Sequence, residues 1–327
     1  MATTFSIAES IQSPKGGVLK RFFFWYVPTI LVVNLSAQSI TNVLARQEGV
    51  EIVVTYDYTE SLSDEMITFG YTNDGGKTWR QIIDATGDIG KNLPAGNGKT
   101  IRWTFSPELA DQTVWFKVST HETGTVTDIE GNVYQTIKIG NQWWMAENLK
   151  VTHYRNGNAI PNITDRLWNV NPDKRWSNLN TGAYCNYAND VNNVTTYGRL
   201  YNWYAIKDNR NIAPTGWHVP TDTEWQILVD YLGGYAVAGG KMKEAGTTHW
   251  NSPNTGATNA SGFFALPGGD RYGVGNYSDI GYYAGFWSST ESNSSHTWSR
   301  YLNYSYSDVG RNGYGGQDGF SVRCVGD

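Results

Sequence analysis

The apolar residues of this chain fall into short runs that alternate with polar residues and end in glycine-, asparagine- or aspartate-containing turns. Alternation with a period of two places every second side chain on one face, the pattern of a half-buried strand. Val50, Ile52, Val54 and Tyr56 alternate with Glu51, Val53 and Thr55. Met66, Thr68, Gly70 and Thr72 lead into the turn Asn73-Asp74-Gly75-Gly76, and Trp79 to Ile83 returns, which predicts a hairpin. Ile101 to Phe105 and Thr113 to Val118 supply two more strands. Several short strands within residues 40–119 predict an all-β sandwich of immunoglobulin or fibronectin type, without the Cys…Trp…Cys pattern of antibody domains.

Beyond residue 119 the pattern changes. Residues 120–127, THETGTVT, are polar and lack apolar periodicity, so they read as a linker. Thr136 to Ile139 and Gln142 to Met145 form a hairpin pattern around Gly140-Asn141. Two helices are expected. Tyr197 to Lys207 carries Leu200, Trp203 and Tyr204 at helical spacing. Thr221-Asp222-Thr223-Glu224 is a capping box, followed by Trp225, Leu228, Val229 and Leu232 on one face and by the stop Gly233-Gly234. Another short helix is expected after Gly239. The fold class is therefore multidomain: an all-β sandwich followed by an α+β domain.

Residues 1–37 read as an export signal. Lys15, Lys20 and Arg21 precede an apolar run from Phe22 to Val33, and Ser36-Ala37 supplies small residues for cleavage after Ala37. Pro28 interrupts the run, which is shorter than the roughly 20 apolar residues of a membrane span. Retention as an uncleaved anchor is the alternative, and Leu35 is bulky for a cleavage site. The domains expected after it are 38–122 and 123–327, at the cell surface or secreted. A net charge of −5 without a basic stripe argues against nucleic acid as a partner. The two cysteines, Cys185 and Cys324, read as a disulfide in an oxidising compartment.

Thr72 to Trp79 fits the pattern S/T-x-D-x-G-x-T-W and resembles the Asp-box, a tight hairpin; it occurs once, so no propeller is implied. The second domain carries five ordered motifs: Gly140 to Lys150 (GNQWWMAENLK), Tyr197 to Ala205 (YGRLYNWYA), Gly216 to Trp225 (GWHVPTDTEW), Phe286 to Thr290 (FWSST) and Gly319 to Val325 (GFSVRCV). With these, residues 128–327 resemble the Fibrobacter succinogenes major paralogous (FISUMP) domain. That resemblance implies a C-type-lectin-like fold, export and membership of a large surface-protein set.

Parts of the third and fifth motifs are also similar to formylglycine-generating enzymes, which use two neighbouring cysteines. Cys324 has no such companion, so an oxidase is an alternative only, beside a glycan hydrolase and a structural subunit of a surface layer or fibre. His218 has no nucleophile motif beside it, and Glu224 sits where a helix cap is needed. Glu147 reads as a buried carboxylate that pairs with a backbone group or a basic side chain. The calcium-site strings of sugar-binding lectins are missing; Asp270, Asn276 and Asp279 can offer oxygen to a hard cation but equally make turns, so no metal is assigned.

The expected activity is non-catalytic binding of a glycan or protein, without cofactor. The candidate surface is Arg271–Tyr283 with Glu291–Asp318, rich in Tyr, Ser, Asn and Gly, the composition of recognition loops. Its candidate residues are Tyr301, Asn303, Tyr306, Asp308, Asn312 and Tyr314, with tyrosines expected to be exposed.

Overall fold

The structure, a computed structural model, describes residues 30–32, 39–59, 65–73, 80–82, 84–91, 93–104, 109, 112–164 and 176–327. It is mostly β-sheet with few helices. The chain divides into two compact units, Met1–His121 and Glu122–Asp327.

The first unit contains β1 (Ile30–Val32), β2 (Ile40–Glu48), β3 (Glu51–Tyr58), β4 (Glu65–Thr72), β5 (Arg80–Gln81), β6 (Thr86–Gly87), β7 (Gly90–Lys91), β8 (Gly96–Thr104) and the start of β9 (Val114–Thr127). One sheet runs β2-β3-β8-β6; in the other, β4 lies beside β9 and also pairs with β5 and β7. Glu48 pairs with Glu51, so Gly49-Val50 is the whole of the first hairpin loop, and Gly49 takes the positive φ that such a turn requires. Alternate residues build one core between the sheets: Ile52, Val54 and Tyr56 from β3 meet Ile67 and Phe69 from β4 and Val114, Phe116 and Val118 from β9. Phe69 and Phe116 stack with ring centroids 5.5 Å apart.

Three residues of the apolar N-terminal run form β1, parallel to Val114–Phe116. The cleavage point after Ala37 and the Asp-box residues 74–79 lie outside the described residues.

The expected linker is not a loop. Residues 120–127 belong to strand β9, and Thr123 to Thr127 pair with β10 (Val133–Ile139). Threonine is polar yet β-branched, so a threonine-rich segment with little apolar content still suits a pleated strand. Thr123 and Val126 are buried and Glu122, Thr125 and Thr127 exposed.

The second unit continues with β11 (Gln142–Met145), β12 (Tyr184–Cys185), β13 (Leu200–Asn202), β14 (Trp217–His218), β15 (Gly268–Arg271), β16 (Tyr277–Ile280), β17 (Tyr283–Glu291), β18 (His296–Asn303), β19 (Gly310–Gly315), β20 (Gly319–Phe320) and β21 (Val325–Gly326). One sheet has the order β14-β21-β11-β10-β9, the other β12-β13-β20-β15-β17-β18-β19 with β16 on β15. Ile139 pairs with Gln142, which makes Gly140-Asn141 the expected two-residue turn.

The helices are α1 (Asn192–Tyr197), α2 (Trp203–Ile206), α3 (Asp222–Tyr231) and α4 (Tyr235–Met242). The single helix expected over Tyr197–Lys207 is split by strand β13. Gly198 at φ 72° ends α1. Asn202 then caps α2, its Oδ1 accepting from the Ala205 and Ala183 amides. The α3 capping box is present as read, with the Thr221 hydroxyl on the Glu224 amide and the Glu224 carboxylate on the Thr221 amide. The α3 apolar face buries Trp225, whose ring lies 4.7 Å from Trp144 and 5.7 Å from Phe286. The last helix, α4, starts before Gly239 and includes it.

No disulfide joins Cys185 to Cys324. Cys185 packs with Trp176, Leu179, Ala183 and Leu200, whereas Cys324 belongs to the main core with Met145 and Val322. The two side chains serve different apolar clusters, so the expected pairing is not made. Among the described residues no helix is long and apolar enough to cross a membrane.

Candidate functional site

Strands β17, β18 and β19 carry the surface rich in tyrosine. Tyr301 of β18 lies between Gly285 of β17 and Gly310 of β19 in register. A Cβ at Gly310 would fall inside the Tyr301 ring. Gly310 therefore makes room for the ring, which stacks on Tyr283 with centroids 5.3 Å apart, whereas Gly285 makes room for Phe320 and Tyr283. Tyr314, on the same face, meets Phe320 edge-on at 4.9 Å, and its hydroxyl is 3.4 Å from that of Tyr283. Tyr301 and Tyr314 are consequently half-buried, not exposed as expected. The opposite face of β18 is covered by α3: Arg300 Nη2 donates to Asp222 Oδ1 at 2.8 Å, and Arg311 of β19 holds the other Asp222 oxygen while lying over the Trp298 ring.

Beyond β18 the chain forms the loop from Asn303 to Asp308, which carries exposed aromatic area. Tyr306 is 60% exposed and Tyr235, at the start of α4, 58%. The Tyr235 hydroxyl donates to Asp308 Oδ2 at 3.0 Å, which raises the phenol pKa. Burial, then Tyr314 and Asp308, raise that of Tyr301.

The loop is held from beneath. Lys243 is fully buried, and its ammonium donates to the carbonyls of Tyr306 (2.7 Å), Asn303 (2.9 Å) and Thr255 (3.0 Å). Burial pushes its pKa down to about 8, opposed by Asp308. Gly239 and Gly240 of α4 allow the backbones to touch: the Gly240 amide donates to the Ser307 carbonyl at 2.9 Å, and a Cβ on Gly239 would overlap the Asp308 carbonyl. The Val309 amide donates to the Tyr235 carbonyl at 3.1 Å. Backbone polar groups that water would otherwise take are thus used to fix the loop.

Of the six residues chosen from sequence, Tyr306 and Asp308 share this loop, and Tyr301 lies close enough to Asp308 to feel its charge. Asn303 is a loop-forming residue, its Oδ1 accepting from the Ser305 amide at 2.9 Å. Tyr314 belongs with Tyr283 over Phe320, and Asn312 is exposed on β19 opposite Ser299. Tyr235 and Lys243 were not anticipated. No local pattern marks them, because each acts on residues more than 60 positions away or, for Lys243, also across a second loop.

The other expected oxygen ligands are separated in character. Asp270 is buried with Oδ1 unpartnered, and burial together with Asp279 and Asp318 lifts its carboxyl to about 7. Asp279 and Asn276 are exposed. Among the described residues no group of three or more His, Cys, Asp and Glu side chains is placed to hold a metal ion.

His218 lies between two carboxylates, Asp327 Oδ1 at 2.7 Å from Nδ1 and Glu224 Oε1 at 2.8 Å from Nε2. This arrangement joins β14 to the cap of α3 and leaves neither ring nitrogen for a substrate. Glu147 accepts from the Gln135 amide and from Lys150 at 2.8 Å.

Residues 137–326 match the family model described as the Fibrobacter succinogenes major domain. No curated protein and no solved structure matches the chain.

Proposed function

Because the chain belongs to the Fibrobacter succinogenes major domain family, we propose that it is an exported, cell-surface binding protein that takes a glycan on the Asn303–Asp308 loop and contributes no catalysis. In this reading residues 1–37 direct export, the first unit is an immunoglobulin-like sandwich and the second a C-type-lectin-like domain. Two sheets around one core support the former. A β-rich unit with long loops beside a helix-covered sheet supports the latter.

The observation that carries the function is the pre-formed loop. Tyr306 and Tyr235 offer amphipathic ring area next to the Asp308 carboxylate, on a backbone already fixed by Lys243 and the α4 glycines. Aromatic rings suit the C–H face of a sugar, and a carboxylate accepts from its hydroxyls. Ordering the loop in advance removes an entropic cost from binding. The oxidase alternative needs a reactive thiol pair; Cys324 is buried, and burial drives its pKa far upward.

The test is a glycan array and a pull-down with the full chain and with the variant Tyr235→Ala/Tyr306→Ala/Asp308→Ala. The expected result is glycan binding that falls at least about tenfold in the variant, a change of about 1.4 kcal/mol. Capture of a protein partner lost in the same variant would assign the loop to protein recognition. Binding unaltered by the substitutions, or turnover of the glycan, would overturn the reading.

A further inference from the structure

Two of the sequence motifs converge on a place the tyrosine loop does not use. Glu147, Asn148 and Lys150 from the first motif and Arg323 from the fifth line a cavity of about 290 Å³, which is completed by His249 and Phe264 among others. Its size is at the lower end for small-ligand sites.

The walls are unusually fixed. Arg323 is buried, and its guanidinium donates to Asn148 Oδ1 (2.6 Å) and to the carbonyls of Met145 (3.0 Å), Phe263 (2.5 Å) and Phe264 (2.9 Å). Phe264 is held at φ 55°, a conformation bulky residues rarely adopt, with its amide on Asn259 Oδ1. It nevertheless leaves 39% of its surface uncovered. A strained aromatic that is not buried by its strain is a feature associated with binding sites.

His249 supplies a directed polar group. Its Nδ1 is 2.8 Å from Glu244 Oε1, and the edge of Tyr197 packs against the ring. Glu244 is buried, 6% exposed, and its second oxygen, Oε2, has no hydrogen-bond partner. In the neutral ring, a proton on Nδ1 serves Glu244 Oε1 and Nε2 is left as an acceptor.

The charges in this wall balance one another. Lys150 is paired with Glu147, the Arg323 donors rest on oxygen atoms of the chain, and with His249 neutral the carboxylates Glu147 and Glu244 balance the cations Lys150 and Arg323. An ionic ligand would meet no net opposite charge. A neutral ring with several hydroxyls suits the site: one apolar face on Phe264, hydroxyls donating to His249 Nε2 and Glu147 and accepting from the exposed Thr195 and Thr196. We infer that this cavity is a second, independent site that binds one neutral monosaccharide-sized sugar ring.

The experiment uses the full chain and isothermal titration or ligand-observed NMR with glucose, galactose, mannose and N-acetylglucosamine, with glucuronate and inorganic phosphate as charged probes. Saturable binding of at least one neutral sugar is expected, weakened about tenfold or more by His249→Ala and by Phe264→Gly. Phe264→Gly relieves the positive φ, so its thermal unfolding should stay near that of the parent while binding falls. The sugar binding that His249→Ala removes should persist in the Tyr306→Ala variant, which separates this site from the loop. Absence of binding by all four sugars, tighter binding of glucuronate or phosphate, or binding that His249→Ala and Phe264→Gly leave intact would each overturn the inference.

Discussion

The ammonium of Lys243 donates to the carbonyl of Tyr306 at 2.7 Å, so the most exposed side chain of the candidate loop stands on a fully buried cation. Replacing Lys243 by Met keeps the length of the side chain and removes the donors. The carbonyls of Asn303, Tyr306 and Thr255 would then lose a partner. A cost of about 2–4 kcal/mol in urea denaturation is expected from unmade buried hydrogen bonds. Amide exchange should rise first in residues 303–308. Unchanged stability and exchange would show that the loop holds itself.

The close approach of α4 to the loop makes a second prediction. Gly239→Ala introduces a Cβ that overlaps the Asp308 carbonyl, whereas a Cβ on Gly273 meets nothing closer than 3.4 Å. Gly239→Ala should lower stability by about 1–3 kcal/mol, the usual range for overpacking. Gly273→Ala should be close to neutral by the same measurement. Equal behaviour of the two variants would refute this packing account.

His218 predicts a pH dependence. Burial pulls its pKa down, but the hydrogen bonds to Asp327 and Glu224 outweigh this and hold it above 6.5. A raised folded-state pKa means that the folded state binds more protons than the unfolded one around that pH. The contribution is therefore complete below the unfolded value and is lost as pH rises through the folded value. The stability gap between the parent and His218→Gln should be largest near pH 6 and shrink by about pH 9. Glu224 opposes this at the acid end: burial raises its pKa, and the Thr221 and His218 bonds more than reverse that. Its contribution is lost as pH falls through its lowered pKa. A gap that grows with alkalinity would exclude a protonated imidazole.

Limited proteolysis should spare residues 123–127. Their backbone is paired with Val133–Ile137 in β10, and a protease needs an extended, unpaired substrate. Cleavage concentrated there in the native protein would restore the linker reading.

Peptide mapping under non-reducing conditions should find no Cys185–Cys324 link, and alkylation of either residue should be slow until the protein is unfolded. Both side chains are buried, in different clusters. A linked peptide from native protein would contradict this.

What could be read from sequence was what local chemistry decides. The α3 cap was legible because Thr221 and Glu224 act on each other three residues apart. The Gly140-Asn141 hairpin was legible because turn residues sit between two apolar strands. Glu147 was expected to pair with a backbone group or a basic side chain and meets both, the Gln135 amide and Lys150, but it is half-buried, not buried. The helix over Tyr197–Lys207 failed because Asn202 bonds to Ala183, outside the window in which periodicity is judged. The site was half legible. Tyr306 and Asp308 announced themselves by composition, whereas Tyr235, Lys243, Glu244 and His249 gained their roles only when distant segments met.

Arg323 sets an order of events. Its guanidinium joins Asn148 and Met145, which lie 175 and 178 positions earlier, and Phe263, 60 positions earlier. On a ribosome the early strands of the second unit must wait for almost the whole of it before this centre can close. The first unit has no such dependence in its β2–β3 hairpin, whose paired residues are near neighbours in the chain. Synthesis from the N-terminus therefore favours an early-forming first unit and a second unit that folds in one late step, exposed until then to whatever holds nascent chains apart.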